Sequence, residues 1–366
     1  MKFEIERNAF FKTLQRVQGI IEKRNTMPIL SNLLINAHSG TVEVSATDLE
    51  IFIKDSCDAS VEKDGSATIN ARKMFEIVRE LECKDISIST SKKGGISIKG
   101  GKAIFNVIGL SVEEFPAFPA IEEGVVTRIS PDILIDMVDK THFAASTDET
   151  RYNINGVFFE RENGKIRMVA TDGHRLSLIE KNSEEISSLK GGVILPRKGV
   201  TEFRKLLEER ERNFQLGFTK THCIIRRDNT IVVIRLIDGE FPDYKQVVPK
   251  DNDKKVTMNR INLLSSLKRV SILSTDRGRG VKFSFSNGRL ELSSSSPDLG
   301  EAKEEMDINY KGDNLVIGFN AKYIIDALEA VGTEDVMFGL KGQLDPGLLQ
   351  PVDADGYTYV AMPMRV

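Results

Sequence analysis

The chain repeats its own pattern, and that repetition limits what it can fold into more than any other feature. Ala46-Thr47-Asp48 returns as Ala170-Thr171-Asp172, and Glu114-Phe115-Pro116 returns as Glu240-Phe241-Pro242. The matched landmarks lie about 123–126 positions apart. Each copy opens with a short alternating strand and an amphipathic helix. The first helix is expected over 7–21, with Phe10, Leu14, Val17 and Ile21 at helical spacing. Its counterpart starts at Ser130-Pro131 and carries Ile133, Leu134, Met137 and Val138. A third starts near Asn259 and carries Leu263, Leu264, Leu267 and Val270. Second helices are expected over 71–81, 196–209 and 320–331, with strand-like runs before and after each. The expected fold class is therefore α+β: three pseudo-equivalent domains, each with two helices packed on antiparallel sheets. Domain boundaries are expected to give residues 1–122, 123–246 and 247–366.

The stretch Ala170 to Leu176 reads as a tight turn between two strands, with Asp172-Gly173 as the turn dipeptide. His174 beside Asp172 invites a catalytic reading. The first copy carries Leu49-Glu50 at this place, without His or Arg, so Ala-Thr-Asp reads as repeated scaffold. Gly173 to Leu176 is then the specialised part. Two alternatives remain open at this point. A hydrolase using His174 with Asp172 would also need a nucleophile and oxyanion donors. A scaffold that binds only proteins would leave its basic helices merely solvated.

Composition narrows the field further. Fifty-one basic and 54 acidic residues give a formal net charge of −3, so any nucleic-acid surface must be local. No run of about 18 apolar residues suggests a membrane span, and the opening Met1-Lys2-Phe3-Glu4-Ile5-Glu6 resembles a strand. Cys57, Cys83 and Cys223 have no metal-ligand spacing and suit free thiols in a reducing cytosol. The scattered histidines do not form a metal signature, and P-loop, G-x-S-x-G, H-E-x-x-H and dinucleotide fingerprints are lacking. No cofactor and no catalysis are expected.

Basic residues recur on the expected helices: Lys12, Arg16, Lys23 and Arg24; Arg72, Lys73 and Arg79; Arg197, Lys198 and Lys205; Lys268 and Arg269. On equivalent helices they could form one basic surface suited to phosphates. The C-terminus stays apolar through Met362-Pro363-Met364. A final strand accounts for the run up to Ala361, and Pro363 should take the tail out of the sheet.

These residues resemble one family along the whole chain. The carrying motifs are Met27-Pro28-Ile29-Leu30-Ser31-Asn32-Leu33-Leu34, Arg151-Tyr152 with Asn155-Gly156, and Ala170 to Leu176. They continue with Pro196-Arg197-Lys198-Gly199, Asp238 to Tyr244, Gly318-Phe319-Asn320, and Met362-Pro363-Met364-Arg365. The chain resembles the bacterial DNA polymerase III β subunit, the replicative sliding clamp. The resemblance implies the DNA-clamp fold, closed into a ring as a head-to-tail homodimer around duplex DNA. Implied partners are the DNA polymerase III catalytic subunit, the clamp-loader complex and other clamp-binding-motif proteins, in the cytoplasm and without a membrane.

The same resemblance implies DNA-facing roles for Arg24, Arg72, Tyr152, Arg197 and Lys198. It implies a partner-peptide cleft built from Ile154, Thr171, Gly173, His174, Arg175, Leu176, Pro242, Val247, Asn320, Tyr323, Met362, Pro363, Met364 and Arg365. The dimer interface is expected at Lys99, Lys102, Phe105 and Val107 of the first domain. Across from them stand Ile272, Leu273, Asp298, Glu301 and Glu304 of the third.

Overall fold

Among the described residues, five of the six helices begin at the residue after a strand ends, and in four of them the last strand residue caps the helix with its side chain. A computed structural model describes residues 1–21, 27–91, 95–121, 125–183, 186, 188–208, 214–274 and 280–365. The helices are α1 (Arg7–Val17), α2 (Ala71–Glu80), α3 (Pro131–Asp139), α4 (Arg197–Glu208), α5 (Arg260–Val270) and α6 (Ala321–Ala330). Asn70 accepts from the Lys73 amide at 3.1 Å, Asn259 from Asn262 at 3.1 Å, and Asn320 from Lys322 at 3.0 Å. Each amide side chain satisfies a donor that the first helical turn leaves open, an effect worth about 1 kcal/mol. Glu6 does the same for α1 through the Ala9 amide at 3.0 Å. The expected first helix stops short at Val17 and continues as a 3-10 turn over Gln18–Ile20.

The described chain forms two compact units. The first comprises Met1–Pro131, Glu185–Leu189 and Thr201–Leu236, and the second Asp132–Glu184, Lys190–Val200 and Ile237–Val366.

In the first unit, a five-stranded antiparallel sheet runs in the order Ser60–Lys63, Lys2–Glu6, Asp85–Thr90, Gly95–Gly100, Ala103–Ile108. An eight-stranded sheet runs Val126–Arg128, Phe214–Phe218, His222–Arg227, Thr230–Arg235, Ile51–Asp58, Thr41–Thr47, Asn32–His38, Gly65–Asn70. Strands of two sequence repeats meet inside it, with Val232 opposite Ile53. Phe10, Leu14 and Val17 of α1 and Met74 and Val78 of α2 are buried. Arg7 at the start of α1 donates from Nε to the carbonyl of Val78 at 2.9 Å, neutralising the exposed carbonyl end of α2.

The second unit repeats this plan. Its eight-stranded sheet runs Gly191–Pro196, Gly156–Glu162, Lys165–Thr171, Arg175–Asn182, Tyr357–Ala361, Gly347–Pro351, Asp335–Leu340, Lys254–Asn259. Again two repeats meet within it, Leu176 standing opposite Val360. The four-stranded sheet runs Gly300–Asp307, Arg289–Ser296, Gly280–Ser286, Leu315–Asn320. Arg260 at the start of α5 reaches the Leu328 carbonyl of α6 at 3.1 Å, as Arg7 reaches α2. The smaller sheets leave Ala103–Ile108 and Gly300–Asp307 as edge strands, whose open backbone groups are a template for pairing.

Arg16, expected on an outward basic face, instead pairs through its guanidinium with fully buried Asp55 at 3.1 Å. Thr230 supplies the other carboxylate oxygen with a hydroxyl at 3.0 Å. A carboxylate on the inward face of a strand needs such partners, and Arg16 is long enough to reach it.

Candidate partner-binding cleft

The Asp172-Gly173 turn is fixed by its own side chains. Thr171 Oγ1 accepts from the Gly173 amide at 3.0 Å and donates to the Arg175 carbonyl at 2.6 Å. Asp172 Oδ1 accepts from the amides of His174 and Arg175 at 2.9 and 3.1 Å, and Oδ2 accepts from Arg175 Nε at 3.0 Å. The carboxylate therefore shapes the turn instead of orienting the exposed His174 ring, which removes the dyad reading. Gly173 has φ of +90°, and a Cβ there would lie 2.8 Å from Arg151 Nη2. Glycine is needed on both counts.

Beside this turn lies a cavity of about 210 Å³. Of the expected cleft residues it brings together Ile154, Thr171, Gly173, Arg175, Leu176, Pro242, Val247 and Met362. Arg151 and Tyr244 also line it. Both stand inside the motifs noted above, but only the placement of their loops reveals that they line this cavity. Beneath the walls, Leu176, Tyr244, Val169 and Val360 form a buried apolar cluster with Phe158, Phe241 and Val247 packed against it. Such a lining suits a few apolar side chains of an incoming chain, with polar groups at the rim to fix its backbone.

Arg175 is 7% exposed, and each of its three guanidinium nitrogens donates a hydrogen bond. Besides Asp172 it bonds Asp326 Oδ2 at 2.7 Å and the Phe143 carbonyl at 2.7 Å, and its guanidinium lies 4.4 Å from the Tyr323 ring centroid. It thus ties the turn to α6 and gives the cavity a rigid wall. Tyr323 reaches the site through this stacking, and burial with nearby Asp172 pushes its phenol pKa up. Asn320 is the cap of α6.

The tail divides between two places. The Met362 amide donates to the His174 carbonyl at 2.9 Å, closing the cavity, while the Met364 amide donates to Gly318 at 2.9 Å. Met364 and Arg365 line a separate groove of about 600 Å³ with Lys282 and Lys303. Pro363 links the two. The tail leaves its strand as Pro363 requires and is then held by the four-stranded sheet.

Of the expected DNA-facing residues, Arg24 lies outside the described residues. Arg72 is exposed and pairs with Glu76 at 2.9 Å, and Tyr152 is exposed on a 3-10 turn. Arg197 is exposed at the start of α4, with Lys198 half-buried next to it. At the expected interface, Phe105 and Val107 are half-buried on an edge strand whose other face exposes Ile104 and Ile108. Lys99, Lys102, Asp298 and Glu301 are exposed, as is Ile272, and Leu273 is half-buried. Glu304 is engaged within the chain, bonding Arg269 Nε at 2.9 Å and Ser266 at 2.7 Å. The exposed Ile104, Ile108 and Leu299 were not anticipated. Alternation along 103–108 could have flagged the first two.

Serial α+β repeats, joined through shared sheets and carrying an apolar cleft where the second repeat meets the chain's tail, define a repeat-built binding scaffold. Comparison with known proteins assigns the repeats. Residues 1–119 match the N-terminal domain of the DNA polymerase III beta subunit, 128–243 the central domain and 245–365 the C-terminal domain. The beta sliding clamp of Caulobacter vibrioides is 37% identical, and that of Pseudomonas aeruginosa 35%, each over all of both chains. A crystal structure of the P. aeruginosa DNA polymerase sliding clamp matches with a TM-score of 0.95 at 34% identity, again covering both chains fully. A C. crescentus clamp crystal structure, with polyethylene glycol bound to its putative beta-motif tethering region, matches with a TM-score of 0.95 at 35% identity and full coverage of both chains. The chain belongs to the DNA polymerase III β-subunit family, the bacterial sliding clamps.

Proposed function

We propose that this protein is a sliding clamp. It closes as a head-to-tail homodimer around duplex DNA in the cytoplasm and holds the DNA polymerase III catalytic subunit on its template. It also receives the clamp loader and other proteins that carry a clamp-binding motif. The observation that carries this reading is the series of three consecutive family matches, over residues 1–119, 128–243 and 245–365. The function is mechanical: the ring supplies topology, and chemistry belongs to the enzyme it tethers.

In this reading the repeats are domains 1–122, 123–246 and 247–366. The edge strands Ala103–Ile108 and Gly300–Asp307 pair between protomers, which would abolish both exposed edges. Lys99 and Lys102 against Asp298 and Glu301 give that pairing its register. Arg24, Arg72, Tyr152, Arg197 and Lys198 face DNA and meet phosphates without reading bases, as sliding requires. Partner peptides enter the cavity beside Gly173 and Met362. No helix among the described residues is long and apolar enough to cross a membrane.

The test is primer extension on a long circular template with polymerase, loader and clamp. The clamp should lengthen the product made per binding event, and omission of the loader should remove the gain. Product lengths indifferent to the clamp would contradict the proposal.

A further inference from the structure

The apolar cavity is backed by an ion network whose members, Glu160, Glu162, Arg167 and Glu180, do not line it. On one face of the second unit's large sheet, side chains form successive cross-strand rows. Glu160, Arg167 and Glu180 make one row; Phe158, Val169 and Leu178 the next; Thr171 and Leu176 the one beside the cavity. The segment around Pro242 lies over these rows. Phe241 stacks on Phe158 with ring centroids 4.9 Å apart, and Tyr244 reaches from the cavity to the charged row. Its hydroxyl donates to Glu160 Oε1 at 2.5 Å.

The same Glu160 oxygen accepts from Arg167 Nη1 at 3.0 Å, and that nitrogen also donates to Glu162 at 2.6 Å. Arg167 Nε bonds Glu180. Glu160 and Arg167 side chains are 14% and 17% exposed, so solvent screens them only in part. Burial and the Glu160 carboxylate both push the Tyr244 phenol pKa up, which keeps its proton available to donate. A charge-assisted bond of this kind restricts the ring more firmly than packing alone.

We propose that Glu160, oriented by Arg167, is a positioning residue for partner binding: it holds the Tyr244 ring in place as one wall of the cavity. The inference rests on the cleft reading of that cavity. It predicts that even an uncharged ligand is sensitive to a charge on the sheet behind the site. Without the bond, Tyr244 turns on its own loop and the wall must be re-formed each time a ligand binds.

The test uses the full-length dimer and a short, uncharged, end-blocked peptide with adjacent leucine and phenylalanine, measured by calorimetry. Glu160→Ala and Tyr244→Phe should each weaken binding about tenfold, because each removes the same charged hydrogen bond. The double variant should be no weaker than either single one. Glu160→Gln should recover part of the loss, since its amide oxygen still accepts but carries no charge, while a general packing defect would not be rescued. Unaltered affinity in both single variants, or losses that add in the double variant, would overturn the inference. Deletion of residues 362–366 separates the two claims. Peptide binding that survives it, or fails with the unaltered protein, refutes the cleft itself; loss only on deletion refutes the role of Glu160.

Discussion

The amide of Met362 donates to the carbonyl of His174 at 2.9 Å, and Arg235 donates to Glu50 in the same way at 2.8 Å. The two bonds are copies. Leu49 and Glu50 amides bond Thr47 and Asp48 side chains at 2.9 and 3.0 Å, as Gly173 and His174 amides bond Thr171 and Asp172. Register carries the match onward: Thr47 faces Phe52 where Thr171 faces Leu176. The first repeat thus has the cleft's framework with different walls. Leu49 stands for Gly173, Phe52 for Leu176 and Arg235 for Met362. Phe52 meets Phe118 edge-on at 6.1 Å, and by the spacing of the Glu-Phe-Pro landmarks Phe118 stands for Tyr244. A phenyl ring occupies the place where the second repeat leaves room.

That substitution pattern gives the first prediction. Leu176→Phe should make the second repeat resemble the first and exclude partner peptide, lowering affinity at least about tenfold. The ring should stay intact, because Leu176 borders the cavity, which gives the larger ring room, and it is remote in sequence from the proposed interface strands. Peptide titration together with sedimentation checks both halves. Full affinity in the variant would mean that Leu176 does not line the binding surface.

Gly173→Ala is expected to act on the same site from the turn. The methyl would crowd Arg151 and the backbone would be held in a region that alanine avoids. Polymerase stimulation should fall sharply, with a stability loss of about 1–2 kcal/mol seen in denaturant melts. A variant that stimulates as well as the parent would show that the turn can move away without consequence.

Core stability depends on a different pair. Arg16→Ala leaves the Asp55 carboxylate buried with the Thr230 hydroxyl bond but without its cation, so unfolding free energy should drop by about 3 kcal/mol. The double change Arg16→Met with Asp55→Leu should recover much of that loss, because no charge is left buried. Equal destabilisation by the single and double variants would contradict this account.

Much of this architecture is readable from residues. Recurrence of Ala-Thr-Asp and Glu-Phe-Pro gives the repeats, and the helix-spaced stripes of Phe10, Leu14 and Val17 or Leu263, Leu267 and Val270 give helices that the fold contains. Arg16 escapes this reading because helical periodicity describes where a Cβ points, not how far a guanidinium reaches. The clue lay on another strand, where Asp55 shares inward parity with Ile51 and Ile53. Arg151 and Tyr244 escaped as cavity walls for a related reason. Loops bring them there, and loop paths depend on contacts such as Phe241 on Phe158 that no local pattern encodes.

The proposed DNA face makes a prediction about salt. Arg197→Ala with Lys198→Ala should weaken loading almost equally on all sequences, and each lost phosphate contact should flatten the salt dependence by about 0.9. Binding assays across a salt series, on several duplex sequences, provide the check. An unchanged slope would mean that these side chains face elsewhere.

The central claim is that a closed dimer holds DNA by encircling it. The most direct measurement is retention of loaded protein on circular and linearised DNA at raised salt, during gel filtration. The account predicts long retention on circles and rapid loss once a restriction cut provides an end. It also predicts loss from circles when Ile272→Ala and Leu273→Ala open the interface. Equal retention on both forms of DNA, or a double variant that stays on circles, would contradict it.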